Sequence, residues 1–244
     1  MRILSIDSSL GTQVAVVDAG PHGLEVLTRI EQDDPRRHAE SLGPLLAQAL
    51  AAPEAGALDA VVAATGPAPF TGLRAGLVAA RALGRARGIP VHGVPSLDAV
   101  ARCALDVLEA PEAPEVPADL AGTRSDAQAG PVILVTTDAR RREVYAARYR
   151  ARGADDVIRL DDLAVVAPDR ARDLGAAQAV AGSGAVLYPE LGEGLPTVAP
   201  VSGDAVAQVR IALARLERGE ELDGRPLYLR HADVQMPQAR KRVT

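Results

Sequence analysis

GPAPFTGLRAGLVAARALGRARG, Gly66 to Gly88, follows a short apolar run, Leu58 to Thr65 (LDAVVAAT), with the length and composition of a buried strand. Gly66, Pro67 and Pro69 stop that strand, because proline donates no ladder hydrogen bond. The pattern therefore predicts a sharp strand-to-helix turn. Thr71 is placed to N-cap a helix from Gly72 to about Arg87, and Gly88 to close it in a left-handed conformation. Within that helix Ala75, Val78, Ala79 and Ala82 recur at helical spacing beside Gly72, Gly76, Leu77, Ala80, Leu83 and Gly84. Each interior glycine costs about 1 kcal/mol against alanine, so a neighbour must require a thin helix. A second helix and the chain's own sheet both meet that requirement.

Upstream, Ile3 to Asp7 is a short apolar strand ending in an acid, followed by a turn, Ser8 to Gly11. Thr12 to Asp18 and Leu24 to Glu31 alternate like paired strands across a hairpin at Ala19 to Gly23. A helix from about Arg36 to Ala51 places Leu42, Leu45, Leu46, Ala49 and Leu50 on one face. These elements run β-β-β-α-β-α through the Gly72 helix, the order of the ribonuclease-H-like half of the actin-like ATPase fold, and a strand from Ile89 to Val94 follows. Ser96 is expected to cap a helix ending at Leu108, which closes a first subdomain, residues 1–108. Residues 109–131, with Pro111, Pro114 and Pro117 and no periodicity, read as a loop or linker.

From Val132 the pattern restarts. Val132 to Asp138 (VILVTTD) ends in an acid as the first strand does, and Glu143 to Tyr149 follows across a basic turn, Arg140 to Arg142. Val157 to Leu160 reads as a third strand, Pro168 to Gly175 as helical, Ala177 to Ala181 as extended, and Gly182 to Gly184 (GSG) as the opening of another helix. Residues 132–201 are thus a shortened, degenerate second copy of an α/β half. A helix at 202–218, capped by Ser202, packs back on the core, and 219–244 is a tail.

The net charge of −5, one Phe, four Tyr and no Trp argue against nucleic-acid binding by this chain alone. A single cysteine, Cys103, allows no internal disulfide and fits a reducing compartment. No apolar run reaches the ~20 residues that span a bilayer, and the N-terminus reads as a strand. The expectation is a cytoplasmic protein without a membrane partner.

Gly66 to Leu97, GPAPFTGLRAGLVAARALGRARGIPVHGVPSL, resembles the signature of the TsaB (YeaZ) family: a GPGSFTGLR turn, a small-residue helix and IP-x-x-GV-x-SL. Ala68 and Pro69 stand where that family usually has Gly and Ser. ILSIDSS (Ile3 to Ser9), RRHAESLGPLL (Arg36 to Leu46), DARRREVYAARY (Asp138 to Tyr149) and PLYLR (Pro226 to Arg230) resemble the same family, in order along nearly the whole chain. The resemblance implies a non-catalytic partner in the bacterial system that installs threonylcarbamoyl on adenosine 37 of certain tRNAs. It also implies dimerisation with the homologous catalytic (TsaD-like) subunit through the two helices, homodimerisation without it, and transient association of a TsaE-like ATPase. tRNA is then met only through the complex.

Leu42, Leu45, Leu46 and Ala49 of the first helix, with Ala75, Val78, Ala79 and Ala82 of the second, form a two-helix apolar platform suited to a four-helix bundle. His38, Ser41, Thr71, Arg74 and Arg81 supply its polar rim. Asp7, Ser8, Ser9 and Gly11, with Asp138 in the second copy, sit where this fold places phosphate loops. A strand-Asp-turn is equally ordinary punctuation, and that structural reading is preferred. No cofactor of its own is expected on the chain, and an interface with the partner is left open to ATP or ADP. The catalytic paralogues carry two metal-binding histidines four apart on the first helix, whereas Leu42 stands four residues after His38, so no metal site is expected. A peptidase reading finds no recognisable nucleophile elbow or triad in this sequence. The rival reading is a free-standing ATP-dependent kinase or hydrolase of the same fold, and Arg140 to Arg142 are either a solvated tip or a contact to tRNA phosphate.

Overall fold

The computed structural model describes residues 1–32, 38–52, 56–113 and 130–229. Strands β1 (Arg2–Asp7), β2 (Thr12–Gly20) and β3 (Gly23–Gln32) form an antiparallel meander. Helix α1 (His38–Ala51) leads to β4 (Ala60–Ala64) and α2 (Phe70–Arg87) to β5 (Val91–Val94); β4 pairs with β1 and β5 with β4, both in parallel, giving the order β3-β2-β1-β4-β5. β4 is buried on both faces and reads as an unbroken apolar run. β3 lies at the edge, half-exposed, and carries Glu25, Arg29 and Glu31, charges that discourage edge-to-edge pairing.

After α3 (Ser96–Glu109), the second sheet repeats that plan with β6 (Val132–Asp138), β7 (Val144–Arg152) and β8 (Asp156–Arg159) as the meander. β9 (Ala164–Val166) pairs with β7, α4 (Pro168–Ala171) precedes β10 (Ala179–Ala181), and α5 (Ser183–Leu187) precedes β11 (Thr197–Val198). Read from β8, the order β8-β7-β6-β10-β11 reproduces the first sheet strand for strand, with shorter helices. Two such halves define the actin-like, ribonuclease-H-like fold.

The last helix of each half is exchanged. α3 lays Leu97, Val100, Ala104 and Leu105 against Ile133, Val135 and Tyr149 of the second sheet. α6 (Ala205–Glu217) lays Val209, Ile211 and Ala212 against Ile3, Ala15 and Val62 of the first. Ion pairs seal this seam. Arg102, fully buried on α3, donates to the carbonyls of Gly153 and Asp156 (3.2 and 3.3 Å) and to Glu109 (2.7 Å). Arg215 on α6 bridges Asp98 and Asp156 at 2.8 and 2.9 Å, and Arg218 also pairs with Asp156. Removing one partner of such a buried pair costs about 3–5 kcal/mol, so the halves are fastened at the α3–α6 seam.

Several expected helix starts move. α2 begins at Phe70 with Pro69 in the N-cap position, not with Thr71 as cap, because Pro69 is already extended (φ −55°, ψ 132°) and ends the strand direction by itself. Gly88 does close the helix in the left-handed region (φ 66°). Ser96 lies inside the first turn of α3, its hydroxyl accepting the Gly66 N–H at 3.1 Å and tying the two turns together. Asp204 rather than Ser202 caps α6, accepting the N–H groups of Val206 and Ala207 at 2.8 Å. β9 and β11 had no sequence signal: three and two residues are too few to show a period. Residues 114–129 of the expected linker and Arg230 of PLYLR lie outside the described residues.

Candidate functional site: a filled cleft and a two-helix face

Asp7 ends β1, where the sequence reading placed a phosphate loop. Its carboxylate is buried and fully engaged: Oδ1 accepts the Ser9 N–H at 2.7 Å, and Oδ2 accepts Nε2 of Gln208 at 2.7 Å from α6. Gln208 is itself fully buried, and its Oε1 accepts the Ser5 hydroxyl at 3.2 Å. Gly203 approaches so closely that a Cβ there would lie 2.6 Å from Asp7 Oδ2. Burial pushes the Asp7 carboxyl up from its ordinary value, against the lowering effect of its donors. The Ser8 hydroxyl donates to the Gly72 carbonyl at 2.8 Å. A metal-bound polyphosphate needs a solvated carboxylate and free backbone donors. The loop residues Asp7, Ser8 and Ser9 are committed to α6, α2 and their own turn, and do not fit it.

The second copy is no more open. Asp138 donates its N–H to Ser183 Oγ at 3.0 Å, accepts the Arg140 N–H at 2.7 Å and pairs with the Arg140 guanidinium at 3.1 Å. GSG does open a helix, α5, but for packing. A Cβ at Gly182 would lie 2.2 Å from the Thr136 carbonyl oxygen, and one at Gly184 would lie 2.7 Å from Thr136 Oγ1. A cavity of about 500 Å³ lies under residues 220–227. Its arginines are committed, Arg215 to Asp98 and Asp156, Arg225 to Asp223. Among the described residues no three His, Cys, Asp or Glu side chains converge as a metal site, and no helix there is long and apolar enough to cross a membrane.

The two long helices lie side by side on the first sheet, and their faces divide differently from the sequence expectation. Leu42 and Ala49 are 5% and 0% exposed and pack with Val14, Val16 and Leu77 in the chain's own core, so they offer nothing to a partner. Leu45, Leu46, Ala75 and Ala79 are half-buried at the border. Val78, 64% exposed, and Ala82 stand clear. The side chains of His38 and Thr71 lie outside those described, and Ser41 donates to Thr12 Oγ1 at 3.4 Å.

Two of the helix glycines serve the chain's own sheet. A Cβ at Gly76 would lie 2.2 Å from Ser8 Oγ, and one at Gly84 would lie 2.4 Å from a Val91 methyl. The rim arginines are also used internally. Arg74 donates to the Tyr228 hydroxyl at 2.8 Å with its guanidinium 5.5 Å from the ring centroid, and Arg81 donates to the Gly224 carbonyl at 2.8 Å. They clasp a C-terminal strap, which also meets the sheet through Gly93 N–H to Leu222 O and Leu227 N–H to Thr65 O, at 3.3 and 2.8 Å. The sequence named PLYLR without showing where it docks, because such a contact spans more than 140 residues.

The family model described as TsaD, tRNA N6-adenosine threonylcarbamoyltransferase, matches residues 29–181. The chain belongs to this family. Within it, the chain is TsaB (YeaZ)-like: two Pseudomonas aeruginosa structures superpose at TM-score 0.70. YeaZ is 24% identical and covers 93% of this chain and 99% of its own. A protein described by its similarity to peptidase YeaZ is 26% identical and covers 94% and 99%. The uncharacterised Mycobacterium tuberculosis protein Rv3421c is 38% identical over 95% of this chain and 93% of its own length. The uncharacterised Mycobacterium leprae protein ML0378 is 39% identical over 81% of this chain, which spans about half (48%) of that relative.

Proposed function

We propose that the chain is a non-catalytic scaffold subunit, dimerising with the homologous threonylcarbamoyl transferase subunit and supporting threonylcarbamoylation of tRNA adenosine 37. The observation that carries this reading is the filled cleft. In an ATPase of this fold the first carboxylate must face solvent and metal, whereas Gln208 and Gly203 occupy that side of Asp7. The reading puts ATP or ADP at an interface shared with the partner, and a TsaE-like ATPase at the assembled pair. It makes the homodimer the state without a partner, and the cytoplasm the compartment. Family membership and the TsaB-like fold support the system; the exposed strip of Val78, Ala82 and the borders of α1 and α2 supports the interface.

The test is light scattering on a sizing column, with the chain alone and mixed with the transferase subunit of the same organism. Val78→Arg is the probe, because Val78 is exposed and outside the core. A one-to-one complex abolished by Val78→Arg, with an unchanged melt, is the expected result. ATP turnover by the chain alone, lost in Asp7→Asn, would falsify the reading in favour of a kinase or hydrolase.

A further inference from the structure

The core leaves the outward side of α2 unused. Val78, Ala82 and Ala86 are exposed there, and so are Arg74, Arg81 and Arg85. At about 100° per residue the three arginines fall within about 60° of Val78 on one side, and the two alanines on the other. The apolar strip thus carries a basic flank. α2 contains no acidic residue, and α1 beside it has no Lys or Arg and a single acid, Glu40, so the two-helix face is basic on a chain of net charge −5. Arg85, in the last turn, also complements the helix dipole, but Arg81 lies more than one turn inside the helix. Arg81 donates to a neutral group, the Gly224 carbonyl, at 2.8 Å. Among the described residues no ion pair engages Arg81 or Arg85. The backbone N–H and guanidinium of Arg225 hold the Asp223 carboxyl below its ordinary value, with Arg81 a lesser influence, so that acid is already taken.

We infer that this face selects its partner by charge: it receives a helical surface that is apolar at its centre and acidic at its rim, and it disfavours a second copy of this chain. The inference rests on the proposed scaffold reading, in which the transferase subunit is that partner. Val78 and Ala82 supply a small-residue centre that lets a facing helix come close. Arg81 and Arg85 border it with long apolar stems and keep their charges at the water boundary. A carboxylate arriving there makes a charge-assisted bond, stronger than the one Arg81 holds to a carbonyl. In a two-fold contact with a second copy the patch meets itself, so arginines face arginines with one glutamate per copy to offset them. Like charges across an interface suppress the wrong partner, while opposite charges steer the right one. A nucleic acid would use the arginines but leave Val78 and Ala82 without a partner.

The experiment measures the affinity of the chain for itself and for the transferase subunit of the same organism at about 50 and about 500 mM salt, which shortens the reach of exposed charges from more than about 10 Å to less than about 8 Å. Wild type is compared with Arg81→Gln/Arg85→Gln, which removes two charges, and with Arg81→Lys/Arg85→Lys, which keeps them. Both arginines are exposed, so all three proteins should melt alike. The wild-type heterodimer should weaken as salt rises, and the homodimer should tighten. At low salt the glutamine variant should bind the transferase subunit roughly 3- to 10-fold more weakly, with most of the change in the association rate, and bind itself more tightly. At high salt it should match wild type, and the lysine variant should stay close to wild type throughout. A heterodimer indifferent to salt and to the glutamine change overturns the inference and leaves the scaffold reading standing. A homodimer that loosens as salt rises, or that the glutamine variant weakens, overturns it as well. A tRNA transcript that binds the chain alone and is lost in the glutamine variant, while the heterodimer is untouched, makes the face an RNA contact and also overturns it. If wild type forms no heterodimer at either salt, the scaffold reading fails and the inference falls with it.

Discussion

Gln208→Leu tests whether Asp7 is a structural or a catalytic carboxylate. Gln208 is fully buried, donates to Asp7 Oδ2 at 2.7 Å and accepts from Ser5 at 3.2 Å. Leucine is of similar volume, so the change removes hydrogen bonds without opening a cavity. A bond to a charged group contributes about 1.5–3 kcal/mol and the neutral one about 1 kcal/mol, so a loss of about 3 kcal/mol is expected at pH 7.5. In a protein of this size each kcal/mol moves the melting temperature about 2–4 °C, giving a fall of about 6–12 °C. The sign with pH follows from burial, which raises the folded-state pKa of Asp7 above its ordinary value of 3.8. That group's contribution is greatest below 3.8 and is lost as pH rises through the folded value. Gln208 opposes the rise, so its removal raises the folded value further, and the mutational loss should shrink as the medium is acidified toward pH 4. Asp7→Asn behaves differently. Its Oδ1 still accepts the Ser9 N–H, and a flipped Gln208 amide accepts its Nδ2 while donating to Ser5. The buried charge is gone, and the variant should be as stable as wild type or more stable at neutral pH. Thermal and urea melts of both variants at pH 7.5 and 4 measure this. A Gln208→Leu loss under 0.5 kcal/mol, or one that does not change with pH, refutes the argument, as does an Asp7→Asn variant as unstable as Gln208→Leu.

Gly182→Ala should lower stability by 2 kcal/mol or more, read from urea melts, because the new Cβ would meet the Thr136 carbonyl oxygen at 2.2 Å and the backbone sits at φ 94°. Burial pushes the Cys103 thiol up to about 12, so a thiol reagent at pH 8 should label the native chain far more slowly than the urea-unfolded chain. Equal rates would place Cys103 at the surface. Tyr228→Ala removes the ring that Arg74 clasps and should loosen the strap, seen as faster amide exchange at Leu227, while the global melt moves by about 1 kcal/mol or less.

Alternation, turn residues and apolar runs are local, and they were enough to read both β-β-β-α-β-α halves, the repeat beginning at Val132 and the left-handed stop at Gly88. The family signatures pointed to the TsaB (YeaZ) family. Local pattern also suggested that the glycines of α2 thin the helix for some neighbour, but helical spacing does not say which neighbour. Tertiary structure named it: Ser8 of the β1–β2 turn for Gly76, and Val91 of β5 for Gly84. The same limit applies to Leu42 and Ala49, whose stripe is apolar whether it faces the sheet or a partner. Asp7 and Gln208 stand 201 residues apart and meet only because α6 crosses to the first sheet. Sequence alone therefore determined the elements and their order, since these depend on neighbours along the chain. Which face is core, which cleft is filled and which arginines are already held depend on contacts between distant segments, and those only the folded chain decided.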